Sequence, residues 1–135
     1  MTSRRETLTE GTLGAAISDE IVSLIHRYTG RGPTEARTYV HENLIVCLLG
    51  DSLTTAEQSL VTGGHDASVL DTRGLFQRTM RADFTEAVER LSGRKVIAFM
   101  SQNHIEPNFS LEAFVLSPLD EDSPLDTPAG ASAPA

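Results

Sequence analysis

The stretch Tyr28-Thr29-Gly30-Arg31-Gly32-Pro33-Thr34-Glu35-Ala36-Arg37 constrains this chain more than any other. Glycine takes positive φ without a Cβ clash, so Gly30 suits a left-handed cap just past a helix end. Pro33 disfavours helical backbone at Gly32, the residue before it. A helix must therefore stop at Gly30 and the chain must leave it extended. Arg31, held on this short stiff element, presents a planar fork suited to a carboxylate, phosphate or bicarbonate-like anion. The ordinary reading is that Arg31 bonds helix-end carbonyls or a nearby Glu, since cations at helix C-termini are common. A nucleotide loop is not supported, because a GxGxxG run follows a strand and opens a helix, and this one follows a helix.

On either side the apolar spacing changes period. Leu13, Ile17, Ile21, Leu24, Ile25 and Tyr28 form one helical stripe between about Leu8 and Tyr28. Gly11 and Gly14 weaken its first turns, so the dependable helix starts near Ala15. Beyond the connector, Ala36–Val40 and Leu44–Leu49 read as strands joined by the polar His41-Glu42-Asn43 turn. One continuous strand is the alternative, though 14 residues from Ala36 to Leu49 would be long. Leu44–Leu49 is apolar throughout, which implies cover on both faces or burial in a subunit contact.

Thr54 and Glu57 have the spacing of a capping box, opening a short helix that ends at Gly63-Gly64. A second helical pattern runs from Asp66 to Leu91, closed by Gly93, with Val69, Phe76, Met80, Phe84, Val88 and Leu91 as its stripe. Arg73, Arg78, Arg81 and Arg90 alternate with acids elsewhere on it and read as a solvated face of local ion pairs. Lys95–Met100 and Phe109–Leu116 are the last strands, with Ser101–Asn108 as a longer loop. In the final strand Phe109, Leu111, Ala113 and Val115 alternate with Ser110, Glu112 and Phe114, a half-buried pattern. The Gly-Arg step recurs at Gly30-Arg31 and Gly93-Arg94, a weak internal symmetry. The expected fold is α+β: two helix-plus-β-hairpin units forming a four-stranded, mainly antiparallel sheet packed against helices. Residues 1–10 read as a frayed N-terminus, 11–117 as one domain and 118–135 as a disordered tail.

Charge and residue types exclude several functions. The net charge of −8 argues against nucleic acid or an anionic membrane surface as the main partner. Asp120, Glu121, Asp122 and Asp126 supply half of it, so the folded part is an ordinary acidic domain. No stretch has the ~20 apolar residues of a membrane span, so neither insertion nor a signal segment is expected. Cys47 is alone in an apolar run, which fits a reducing, cytoplasmic setting and an inert thiol. His26, His41, His65 and His104 lack metal-site spacing, and no serine lies in a nucleophile-elbow context. No catalytic residue, metal or cofactor is expected.

The connector motif with Ala36-Arg37-Thr38, followed by Leu53-Thr54-Thr55-Ala56-Glu57, resembles the MpsC-like family of small soluble bacterial proteins. Arg73, Phe76-Gln77, Leu91-Ser92-Gly93-Arg94-Lys95-Val96 and Phe114-Val115-Leu116 extend the likeness over about residues 11–117. The resemblance implies association with a membrane-potential-generating, cation-translocating system linked to inorganic-carbon uptake. It carries no catalytic residues across. The expectation is a non-catalytic accessory or regulatory protein that acts through protein contacts, with membrane transporter subunits as partners and a homodimer as its form. The alternative is a small-anion-binding module for bicarbonate or a phosphorylated metabolite. Its binding residues, for an anion or a partner, would be Gly30, Arg31, Gly32, Pro33, Thr34 and Arg37.

Overall fold

Gly30 ends α1 (Glu10–Thr29) in the left-handed region, φ 84, with its N–H donating to the His26 carbonyl. The chain then enters β1 (Glu35–His41), and the computed structural model, which describes residues 9–118, continues as β2 (Leu44–Gly50), α2 (Thr55–Thr62), α3 (Asp66–Ser92), β3 (Val96–His104) and β4 (Phe109–Leu116). The four strands form one antiparallel sheet in the order β1-β2-β4-β3. Two hairpins thus meet through their second strands, and α1 and α3 pack against one face of the sheet. This is the expected α+β architecture. The expected acidic tail and residues 1–8 of the expected frayed N-terminus lie outside the described residues, apart from Pro118.

The local signals act as their chemistry requires. Thr54 accepts from the Glu57 N–H at 3.1 Å while Glu57 accepts from the Thr54 N–H at 2.7 Å, closing the capping box that starts α2. Gly93 repeats the Gly30 cap at φ 72, donating to the Glu89 carbonyl. The β1–β2 turn is tight, with Glu42 at φ 53, so residues 36–49 are a hairpin and not one strand.

Ile17, Ile21 and Ile25 of α1 meet Ile45, Cys47 and Leu49 of β2, Phe114 and Leu116 of β4, and Met80, Phe84 and Val88 of α3. Each large side chain buried this way contributes about 1.5–3 kcal/mol. Phe99 stands edge-on to Phe84 at 6.1 Å and tilted against Phe114 at 5.0 Å, tying β3 to α3. The Arg81 guanidinium lies 5.3 Å from the Phe99 ring centre. A smaller cluster of Leu53, Val69 and Ile105 closes the far end.

Four expectations are corrected. The α1 helix starts at Glu10, capped by Thr9, and not near Ala15. Gly14 belongs to it because a Cβ there would meet the Thr38 carbonyl at 2.8 Å, so its smallness lets α1 approach β1. The third strand reaches His104, so the loop shrinks to residues 105–108. Ser101 and Asn103 read as loop residues because they are polar, yet they pair with Glu112 and Ser110 in the sheet. Arg73 is not on a solvated face: its side chain is 12% exposed and bonded inward. Finally, of the two alternatives for Leu44–Leu49, cover on both faces fails among the described residues, leaving the subunit contact: Ile45, Cys47 and Leu49 face the core, whereas Leu44 is exposed.

Candidate functional site

The connector residues lie between α1 and the end of β2. The Arg31 Nη1 donates to the Asp51 carbonyl at 2.5 Å and the Leu53 carbonyl at 3.1 Å, and Nη2 donates to the Asp51 carboxylate at 3.0 Å. Thr34 donates to the same carboxylate at 2.8 Å. The Thr34 bond first, and then Arg31, hold the Asp51 carboxyl below its usual range. Asp51 itself takes φ 59, a left-handed conformation that costs a non-glycine residue energy. Arg31 and Thr34 therefore fasten a strained turn. Gly32 and Pro33 line a groove of about 570 Å³ with Ser18, Asp19, His26 and Thr34, which Arg31 does not line. Arg37 lies on the other side of β1, in a shallow groove with Leu48 and Phe109. Thr34 lines that groove beside Arg37 as well as the first one with Gly32 and Pro33, so Arg37 meets the connector only at Thr34.

A buried polar layer separates the two apolar clusters. Arg73 of α3 grips Glu57 of α2 through two bonds, Nε to Oε2 at 3.0 Å and Nη2 to Oε1 at 2.7 Å. It also donates to the Ser52 hydroxyl and carbonyl. Burial raises the Glu57 pKa, but the Arg73 and Thr54 bonds outweigh it and leave the carboxyl below its ordinary value. The sequence signal was the spacing Leu53-Thr54-Thr55-Ala56-Glu57 with Arg73 beyond. It marked a cap and did not disclose that the cap's carboxylate also holds an arginine.

Glu112 lies deeper, 2% exposed, on the helix-facing side of β4. Its neighbours in register are Cys47 on β2 and Ser101 on β3. Burial pushes its carboxyl up to about 7, partly offset by the Ser101 hydroxyl and the Arg73 charge. Burial likewise raises the Cys47 thiol to about 11, so it stays protonated at neutral pH. A cavity of about 20 Å³ touches Glu112, Ser110, Arg73, Gln77 and Thr29.

No helix among the described residues packs on the opposite face of the sheet. Tyr39, Val46, Ala113 and Met100 form one continuous row across all four strands, and Leu48 and Leu111 lie in the next. Tyr39 is 53% and Met100 54% exposed. The alternation expected in β4 is present, but Ser110, Glu112, Phe114 and Leu116 turn toward the helices and the odd-numbered apolar residues turn outward. The middle of this face is apolar, whereas Arg37 beside Leu48 and Gln102 beside Leu111 make its outer strands partly polar.

Among the described residues, no group of three or more His, Cys, Asp or Glu side chains is placed to hold a metal ion. No helix among them is long and apolar enough to cross a membrane. Residues 9–118 match the family model described as "Na+-translocating membrane potential-generating system (MpsC)". No curated protein and no solved structure matches the chain.

Proposed function

The chain belongs to the MpsC family, and from that premise we propose that it is a non-catalytic accessory protein of a cation-translocating, inorganic-carbon transport system. It works on the cytoplasmic side, as a homodimer, through protein contacts. The observation that supports this reading is the uncovered sheet face. Its apolar rows offer a contact surface, whereas the polar groups gathered inside the protein are occupied with one another or sealed from substrate-sized molecules. We assign that face to a second copy of the chain. The whole sheet face, four strands ~4.8 Å apart and ~23 Å long, is on the order of 450 Å²; burying it on each copy totals about 900 Å², below the ~1,200 Å² where stable specific interfaces begin, so the dimer is weak and concentration-dependent. Contacts with membrane subunits are then made by the dimer's remaining surface.

The alternative, a module for bicarbonate or a phosphorylated metabolite at the connector, has less behind it. The Arg31 guanidinium is engaged with Asp51 and Leu53, and the adjoining groove carries Asp19.

The test is affinity capture from gently solubilised native membranes, using the parent and Met100→Glu, with oligomeric state measured by light scattering. The reading expects ion-translocating membrane subunits on the parent, and a concentration-dependent dimer that Met100→Glu abolishes. A parent that stays monomeric at high concentration overturns the sheet-face dimer. Failure to recover transport subunits overturns the accessory role, and turnover by the isolated protein overturns its non-catalytic character.

A further inference from the structure

Arg73 stands near two buried carboxylates and is bonded to one of them. A guanidinium carries five N–H donors. Four of those on Arg73 are engaged with Ser52 and Glu57, which leaves one hydrogen on Nη1. The second carboxylate is Glu112, whose buried Oε1 has no hydrogen-bond partner among the described residues. Arg73 and Glu112 border the same cavity of about 20 Å³. Close-packed interiors seldom leave a side chain room to shift, and here the room lies beside both groups.

What Arg73 holds is otherwise lightly held. In α2 only Glu57 is buried. Val61 borders the small cluster of Leu53, Val69 and Ile105, and Leu60 is exposed. The attachment of α2 therefore depends on its carboxylate. Arg73 fastens that carboxylate and also Ser52, in the segment that leads into the helix.

The surroundings of Glu112 decide what its ionisation does. From α3 it meets Arg73 and Gln77, and from α1 Ile25 and Thr29, none of which titrates near neutral pH. From β2 the neighbour is the Cys47 thiol, which stays protonated, and from β3 the Ser101 hydroxyl. Glu57 of α2 acts on it through Arg73. The Arg73 charge is thus the one that answers a Glu112 anion. While Glu112 holds its proton, Arg73 serves Glu57 alone. Once Glu112 ionises, two buried carboxylates share one guanidinium, and a buried charge draws on whatever opposite charge is near. Burial places that step at about 7. Glu57 is ionised on both sides of it, because its own carboxyl is held below the ordinary value. We propose that Arg73 is a proton-controlled latch: loss of the Glu112 proton draws the guanidinium toward the shared cavity, loosens its grip on Glu57 and Ser52, and lets α2 open. The latch is closed below the Glu112 titration and released above it.

The experiment is amide hydrogen exchange of the full chain at pH 6 and pH 8, with labelling times scaled for the intrinsic exchange rates. From pH 6 to pH 8 the parent is expected to lose protection over α2, on the order of tenfold beyond any loss in α1. In Glu112→Gln that selective loss should vanish. His65, at the joint between α2 and α3, is the same in both proteins, so the comparison isolates Glu112. Protection of α2 that is equal at the two pH values overturns the latch. So does a loss that α1 shares in full, because that reports global stability alone, and so does a selective loss that survives in Glu112→Gln. Should the variant not fold, the Arg73 Nε–H resonance of the parent decides: a shift with its midpoint near 7 supports the latch, and a signal that stays fixed from pH 6 to pH 8 overturns it.

Discussion

Arg31 and Arg94 occupy equivalent places in the two halves of the sheet. Each follows a left-handed glycine, and each donates to the carbonyl one residue past the second strand of its own hairpin: Arg31 to Asp51 and Arg94 to Ser117 at 2.6 Å. Arg94 also reaches the Glu42 carbonyl and the Asn43 side chain in the other hairpin's turn. The recurring Gly-Arg step is therefore a repeated clip between helix end and strand end. Alanine at either position should destabilise by about 1–3 kcal/mol, because a partly buried carbonyl loses a charged donor. Urea unfolding of Arg31→Ala and Arg94→Ala measures this. Neither variant should change secondary structure.

Arg73 and Glu57 form the most buried ion pair, at 12% and 11% side-chain exposure. Removing one partner strands the other, at a cost of about 3–5 kcal/mol. Arg73→Lys should recover only part of that, because one ammonium cannot reproduce the two-bond fork. Arg90 makes exposed pairs with Glu86 and Glu20, and Arg90→Ala should cost under ~1 kcal/mol. Chemical denaturation of the three variants gives the ranking.

Gly14 and Gly11 sit one turn apart in α1 and should respond oppositely to alanine. At Gly11 the space is open, with only the Thr9 hydroxyl at 3.9 Å, so Gly11→Ala should add about 0.5–1 kcal/mol through helix propensity. At Gly14 the new methyl meets the Thr38 carbonyl at 2.8 Å, a backbone atom that cannot rotate away. Gly14→Ala should therefore destabilise, and thermal midpoints should move in opposite directions.

Glu112 gives stability a specific pH dependence. Its folded pKa is raised from 4.5 to about 7, so its contribution is fully present below about 4.5 and lost as pH rises through 7. The difference corresponds to roughly 3 kcal/mol. In urea unfolding, Glu112→Gln should match the parent near pH 4.5 and exceed it above pH 7.5. Asp51 and Glu57 have lowered pKa values and act in the opposite sense, as pH falls. The comparison with Glu112→Gln cancels their part.

Local rules carried much of this fold. Gly30, Gly93, the Thr54–Glu57 box and the Glu42 turn each act within four or five residues, so one stretch of sequence contains the whole cause. What stayed hidden depends on distant partners. In β4 the period of two was plain, but the alternation itself does not say which face meets the helices. That choice follows from Phe114 and Leu116, which join the core and take Ser110 and Glu112 with them. Ser101 and Asn103 looked like loop because they are polar, and only the β4 register makes them strand. Arg73 resembled its exposed neighbours on α3 until α2 folded back over it. Arg37 was grouped with Arg31 by proximity in sequence, yet six residues and a strand's alternation set them apart.

The strand order also bears on how the chain is made. The centre of the sheet joins β2 to β4, and β4 ends at Leu116. During synthesis, the first hairpin must wait with one edge bare until nearly the whole folded region has left the ribosome. A nascent chain stalled before Phe109 exposes that edge together with the apolar row of β2. Its protection from aggregation at that stage must come from chaperones or from speed.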